Sequence, residues 1–470
     1  MKRYIIAGLL GVSVLSSCVK NPNLTEEAYL SKPDAAKSWA QGLRRQLALT
    51  MNGIVVNVEI ASDNYFNNYT QYSKVFDVPQ MDYTDVDVNN IQLLVQRLRA
   101  AAEYGMNTIL PGDASATATD RALIIFSRAY AHILSGELFV ALPASTNGVA
   151  LTPQEHYAKA LEFLDEALAV ETDAVKKTAY TVLKARVYYN LGDAANAEKF
   201  ALEAAASKDM LFNVAFDGQN AVSNEMQTAV FTSLPNRLAP LPRLDFLDPK
   251  YSDNGVPATE QRPVAIVKAE EARLILAEVQ VSASRLAEAR TTLKNLLSEV
   301  VNARPYTLLD DSRETRNGGN RNDYPLVAVQ VKFDAADSLR SNYVINRKGG
   351  TMRSYTVSAT RVTAAEIDAA ATQDALLYLV YRLRQEIFFA EGRRMTDLGI
   401  KMPVSQTEQL NNRNITDAHI KPQIPAFIPV NRGMDDFTYD KTAGVVTITY
   451  DMNKVMVQNK SAKEIFPFIN

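Results

Sequence analysis

AVKKTAYTVLKARVYYNLGDAANAEKFALEAAAS, residues 174–207, is the stretch that decides the fold. Its apolar residues recur at helical spacing from Ala174 to Asn190 and again from Ala194 to Ser207. Between them stands Leu191-Gly192-Asp193, where Gly192 permits the tight turn. Ala185 and Ala197 are small enough to let the two helices approach closely, and Tyr188 is large enough to fill the groove between them. The segment reads as a helical hairpin that cannot bury its apolar face alone and needs a neighbour of the same kind.

Neighbours follow on both sides. Thr152 to Val170 reads as a helix. Val264–Ser282 and Arg285–Ala303 read as a second pair, with Ala269, Ala272, Ala277, Ala287 and Ala289 at close-packing spacing. Upstream, Asp34 to Met51 carries Ala35, Trp39, Leu43 and Leu47 on one face. Val88 to Ile109 ends at Pro111, and Thr117 to Val140 shows Leu123, Phe126, Tyr130 and Leu134 before Pro143 stops it. A last long helix is expected from Asp374 to Leu398. Helices are thus predicted over 34–51, 88–109, 117–140, 152–207, 264–303 and 374–398. Roughly eight helices pack as paired, tetratricopeptide-like repeats of a solenoid. Loop-rich mass falls at 56–83, 213–261, 304–372 and 399–470. Two hairpins are expected there, Tyr343–Val357 around Gly349-Gly350 and Phe437–Tyr450 around Ala443-Gly444. The class is mainly α, a tetratricopeptide-like scaffold with a loop-rich ligand-binding region and small β-hairpins, in one domain over 34–470.

The N-terminus reads as an address. Met1-Lys2-Arg3 is basic, Tyr4 to Leu15 is apolar but too short to span a bilayer, and Leu15-Ser16-Ser17-Cys18 follows. This resembles a bacterial lipobox, with residues 1–17 a signal peptide, Cys18 lipidated and 18–33 a tether. Cys18 is the single cysteine of 470 residues, so the mature chain has no intramolecular disulfide and no thiolate metal site. Lys and Arg number 50 against 53 Asp and Glu, a formal charge of −3, which does not favour nucleic acid.

Catalytic templates fail. The three histidines are His132, inside an apolar helix and read as a core or groove residue, His156, read as solvated, and His419. There is no His-Glu-x-x-His, no Gly-x-Ser-x-Gly and no phosphate-cradling loop at Gly318-Gly319. Asp82, Asp85 and Asp87 have oxygen-donor spacing but lack the glycine and terminal glutamate of a calcium loop, so no metal is expected there. Trp39 reads as core. The mixture that suits a sugar, aromatic faces among amides and carboxylates, is densest at Asp63, Asn64, Tyr65, Asn67, Asn68, Tyr69 and Tyr72. The bland alternative is a polar loop whose tyrosines pack down onto the helices. A second candidate is Arg321-Asn322-Asp323-Tyr324, with Arg321, Asp323 and Tyr324 as contacts.

The C-terminal helix carries the family resemblance. Arg384-Gln385-Glu386 leads into Phe388-Phe389-Ala390-Glu391-Gly392-Arg393-Arg394-Met395-Thr396-Asp397-Leu398. Glu391, Gly392, Arg394, Asp397 and Leu398 match a Glu-Gly-x-Arg-x-x-Asp-Leu signature. Together with the lipobox and the Ala/Tyr-rich pairs, this resembles the SusD/RagB family of nutrient-binding outer-membrane lipoproteins. Ile387 stands where the family has a glutamate, Leu138 to Pro143 lacks the family's glycine and aspartate, and Asp248-Pro249-Lys250 resembles its Asp-Pro-Arg. The tether lacks the acidic cluster common after the lipidated cysteine of surface-exported relatives.

The resemblance implies a lipid-anchored protein on the outer face of the outer membrane of Bacteroidetes-type bacteria, capping a TonB-dependent, SusC-like barrel transporter. It implies capture of oligosaccharide, or in some branches peptide, without a cofactor and without catalysis. It also places part of the ligand site after the first helix and part after the last tetratricopeptide pair, where the two candidate segments fall. Glu386 and Glu391 project about 140° apart on a helix and make a poor acid/base pair, whereas Glu391 and Arg394 share a face and are expected to form a packed ion pair. Two other readings stay open, the same scaffold serving peptides or another nutrient, and a tetratricopeptide envelope assembly factor that binds only proteins.

Overall fold

The computed structural model describes residues 33–69, 71–310, 319–347, 349, 351–429 and 433–468. Cys18, the signal peptide and residues 18–32 of the tether lie outside the described residues.

Among the described residues, nine long helices build the frame: α1 Ala35–Ile60, α2 Val86–Tyr104, α3 Ala118–Leu138, α4 Pro153–Val170, α5 Ala174–Leu191, α6 Ala194–Ala204, α7 Ala269–Ser282, α8 Leu286–Asn295 and α9 Gln373–Ile387. Each packs on the next from α1 through α8, and α9 lies on α7. Local chemistry sets the boundaries. Thr152 and Glu155 form a reciprocal capping box at the start of α4, and Asp173 accepts from Val175 N and Lys176 N at the start of α5. At the end of α5, Gly192 turns left-handed at φ 74°, its amide facing the carbonyls of Tyr188 and Tyr189, and Asp193 caps α6. Ala185, Ala197 and Ala201 are fully buried where the helices meet. Tyr188 stacks on Phe200 with centroids 5.4 Å apart, filling the groove as its size dictates.

Four expectations need correction. The first helix runs on past Met51 to Ile60, because Ile54, Val55, Val58 and Ile60 continue its buried face. Val264–Lys268 is not helical: it belongs to a strand, β4 Gln261–Lys268, paired antiparallel with β2 Leu211–Phe216, and the helix starts only at Ala269. Val264, Ile266, Val267 and Lys268 are buried there, and β-branched Val264, Ile266 and Val267 suit a strand. Residues 343–357 do not close on themselves: β7 Thr351–Tyr355 pairs with β5 Tyr306–Asp310. Within the stretch 213–261, the 3-10 helix Pro242–Tyr251 is buried throughout. Finally, 374–398 is not one helix: α9 stops at Ile387 and only Arg394–Asp397 resumes.

The second hairpin does form, β8 Phe437–Asp440 with β9 Val445–Ile448, and β9 is joined in parallel by β6 Gln330–Lys332. His132 is buried as expected. His156 is not solvated: its Nδ1 lies 2.9 Å from that of His132, and its Nε2 faces the Leu142 carbonyl at 2.9 Å. Burial lowers both imidazoles, His132 to about 2 and His156 to about 4. Trp39 is half-buried and donates to the Ala101 carbonyl.

Candidate functional site

The extension of α1 delivers the chain into the segment that sequence marks as a ligand site. There β1, Tyr65–Asn67, pairs antiparallel with β3, Leu238–Pro240. Asp63, Asn64, Tyr65, Asn67 and Asn68 are all buried, which corrects their assignment as ligand contacts. Asp63 accepts two bonds from Arg394, at 2.6 and 3.0 Å, and one from Gln385. Asn64 donates to Glu59 at 2.7 Å and accepts from Gln385. Tyr65 stacks on Phe389, and its hydroxyl reaches Asp248. The Asn68 amide donates to the Arg237 carbonyl.

What reaches under this strap is the signature after α9. Ala390 and Gly392 take positive φ, 59° and 72°, so Glu391 sits in a turn and not on a helical face. The expected Glu391–Arg394 pair therefore does not form. Glu391 instead accepts from Lys250 at 2.5 Å and Lys268 at 2.7 Å, while Arg394 goes to Asp63 and Asp397 to Arg384. The Gly392 amide donates to Glu59 at 2.8 Å. Burial pushes the Glu59 carboxyl up to about 7. Burial, opposed by Glu391 and aided by the like charge of Lys268, brings Lys250 down to about 8. Asp248 pairs with Arg347, so Asp248-Pro249-Lys250 joins the same buried network. Glu386 is also buried, against Thr360 and the Arg361 amide. Neither glutamate is presented to a substrate.

Four of the remaining candidate residues reach the surface. Tyr69, Tyr72, Arg321 and Asp323 are half-buried. The Tyr72 hydroxyl donates to Glu225 at 2.7 Å, and Arg237 approaches the same carboxylate at 3.1 Å. Burial raises the phenol of Tyr72 above its ordinary range. Tyr72 borders a cleft of about 700 Å³ whose lining includes Asn52, Asn57, Gln71, Asp85 and Glu225. Asn57 Oδ1, in that lining, is buried without a hydrogen-bond partner. Burial, reinforced by Asp85, raises the Asp87 carboxyl at the same mouth.

The two candidate segments meet. Asn320 donates from its amide to the Asn68 carbonyl at 2.6 Å and from its side chain to the Asn67 carbonyl at 2.9 Å, across 253 positions of chain. Arg321 is fixed beside them by Asp323, Asp436 and the Phe437 carbonyl, with its guanidinium 3.7 Å from the Phe437 ring centre. Tyr324 turns inward, buried, its hydroxyl on Asp245, which corrects its assignment as a contact. Sequence reading missed Asn52, Asn57, Glu225 and Arg237. The first two sit on the part of α1 beyond the expected helix end, and the other two come from the 213–261 stretch, whose one quoted motif, Asp248-Pro249-Lys250, lies outside the cleft.

No protein-family model matches the sequence, and no curated protein matches it. Solved structures do, and they define the class: the chain has the SusD-like fold. A SusD superfamily protein from Bacteroides fragilis covers 82% of this chain and 99% of its own at a TM-score of 0.56, with 16% identity. A SusD/RagB family protein from Bacteroides thetaiotaomicron covers 82% and 96% at 0.53, with 13% identity. A candidate sugar-binding protein from Bacteroides vulgatus covers 82% and 98% at 0.52, with 12% identity. Among the described residues, no helix is long and apolar enough to cross a membrane.

Proposed function

We propose that this chain is a nutrient-binding protein of the cell surface that captures an oligosaccharide and does not cleave it. The observation that carries the reading is the junction of the Asn67–Asn68 and Asn320–Arg321 segments beside the Tyr72 cleft, in a chain with the SusD-like fold. Tyrosine faces stack on the apolar faces of sugar rings, while amides, carboxylates and a fixed guanidinium bond hydroxyl groups. Asn52, Asn57, Gln71, Tyr72 and Glu225 in the cleft, with Arg321 and Asp323 at the junction, supply that set. The sugar-binding description of the Bacteroides vulgatus neighbour agrees with it.

In this reading Cys18 carries the lipid, residues 18–33 tether the domain to the outer membrane, and the repeat side docks on a TonB-dependent, SusC-like barrel that receives the ligand. The test is to solubilise membranes in detergent, pull down the lipidated protein and identify what accompanies it by mass spectrometry. A TonB-dependent barrel at near one-to-one is expected. Periplasmic proteins without a barrel would instead favour an assembly factor. Retention of a barrel together with peptide binding and no glycan binding would move the ligand class to peptides.

A further inference from the structure

Below the junction, Asn67 and Asp435 each hold a buried side-chain oxygen without a donor among the described residues, and the half-buried carboxylate of Asp77 lies beside them. Asn67 is 2% exposed, and its Oδ1 has no hydrogen-bond partner, although its Nδ2 donates to the Tyr72 carbonyl. The Asn67 amide donates at 3.0 Å to Oδ1 of Asp77. Asp435 is 6% exposed, and its Oδ2 also has no partner. Gly433 ties the two aspartates together: the point where a Cβ would sit lies 2.2 Å from Asp435 Oδ1 and 3.5 Å from the Asp77 carbonyl oxygen. Among the described residues, no lysine or arginine forms an ion pair with Asp77 or Asp435, and Arg321 is committed to Asp323, Asp436 and the Phe437 carbonyl. Burial pushes Asp77 up to about 6, and burial with the like charge of Asp77 pushes Asp435 up as well. Lys74 attracts Asp77 and Arg321 attracts Asp435, but neither forms an ion pair with them among the described residues, so the cost of withdrawing the two carboxylates from water is offset only in part.

We propose that this place is a cation site, in which the carboxylates of Asp77 and Asp435 and the amide oxygen of Asn67 hold a calcium ion. The donors are all oxygen and mixed in type, at the end of strand β1, at the end of the short helix Lys74–Asp77 and in the stretch before β8. Calcium accepts six to eight such ligands in flexible geometry and completes its shell with carbonyls and water. Zinc prefers nitrogen and sulfur, and magnesium demands a more regular octahedron. No group of three or more His, Cys, Asp or Glu that could hold a metal occurs among the described residues. Here the third protein ligand is an amide. The ion would join three segments: the strand before Tyr72, the turn at Asp77 and the stretch that includes Asp436, the partner of Arg321. The presence of the ion does not rest on the oligosaccharide reading; only its effect on ligand binding does.

The test uses the purified protein stripped with EDTA and then given calcium or magnesium chloride, with thermal unfolding and calorimetric titration of the metal. Calcium is expected to bind once per chain and raise Tm by about 3 °C or more at saturation, with magnesium weaker. Asp435→Asn is expected to lose the response, and Glu162→Gln on the exposed face of α4 to keep it. In EDTA, Asp435→Asn should unfold no earlier than wild type, since it removes a charge that is offset only in part, so a lost response is not confused with a lost fold. A wild type that ignores calcium, or an Asp435→Asn protein that responds equally, overturns the proposal. Melting that follows pH and not calcium also overturns it, and points to a shared proton.

Discussion

Asp63, Asn64, Tyr65, Asn67 and Asn68 have the same residue types as Tyr69 and Tyr72 a few positions on, yet the fold uses the two groups in opposite ways. The first group is shut inside and held from beneath by Arg394, Gln385, Glu59 and Asp248. Tyr69 and Tyr72 stay half-exposed, and Tyr72 borders a cleft. The difference is a matter of what lies below. The positive-φ turn at Ala390–Gly392 drives charged side chains up against the start of the strap, whereas Glu225 and Arg237 meet Tyr72 at the rim. Polar aromatic composition suits a sugar, and it equally suits a buried hydrogen-bond network. Only the third dimension separates anchor from presenting surface.

The largest effect should come from the anchor. Arg394→Ala leaves the Asp63 carboxylate buried without its partner, and a loss of about 3–5 kcal/mol is expected in chemical denaturation. Should that variant keep its stability and lose only ligand, the division between anchor and surface would be broken. Next is the pH response of Glu59. Its carboxyl is raised from 4.5 to about 7 in the folded protein. The folded state therefore binds the extra proton, and the stability that this group contributes is present below pH 4.5 and lost as pH rises to about 7. The loss is at most about 3 kcal/mol, and Glu59→Gln should remove it. Denaturant midpoints of both proteins at pH 5 and pH 8 measure it.

In the repeat scaffold the sign reverses. His156 is depressed from 6.5 to about 4 by burial. Its contribution is present above pH 6.5 and lost as pH falls to about 4, again at most about 3 kcal/mol. Acid unfolding of the Glu59→Gln protein, free of the opposing trend from Glu59, should expose that slope. The smallest effect on folding belongs to the surface: Tyr72→Phe removes the bond to Glu225 for about 1 kcal/mol. Tyr72→Ala should weaken ligand binding about tenfold in titration calorimetry, equivalent to about 1.4 kcal/mol.

The repeat was legible because its signals are local. Gly192 between two Ala-rich runs and, outside the repeat, the Ala443-Gly444 turn each fix backbone within a few residues. The misplaced elements depended on distant partners. Val264–Lys268 is a strand because Leu211–Phe216 lies beside it, and Thr351–Tyr355 pairs with Tyr306–Asp310 and not with the residues just before it. The break after Ile387 rests on a left-handed alanine, which no propensity announces. In the proposed site, Tyr72, Arg321 and Asp323 stood out by residue type, and the fold leaves them half-exposed. The burial of Asp63 was not, since it follows from an arginine 331 positions away.

The central claim is that the Tyr72 cleft and the Arg321 loop form the capture surface while the Asp63 network only supports it. Affinity electrophoresis tests this most directly, with the wild-type protein, Tyr72→Ala and Arg321→Ala run through gels containing a panel of polysaccharides. The account predicts that at least one polysaccharide retards the wild type and that both variants run free or nearly so, with unchanged circular dichroism. Retardation that survives both substitutions, or no retardation by any polysaccharide in the panel, would contradict it.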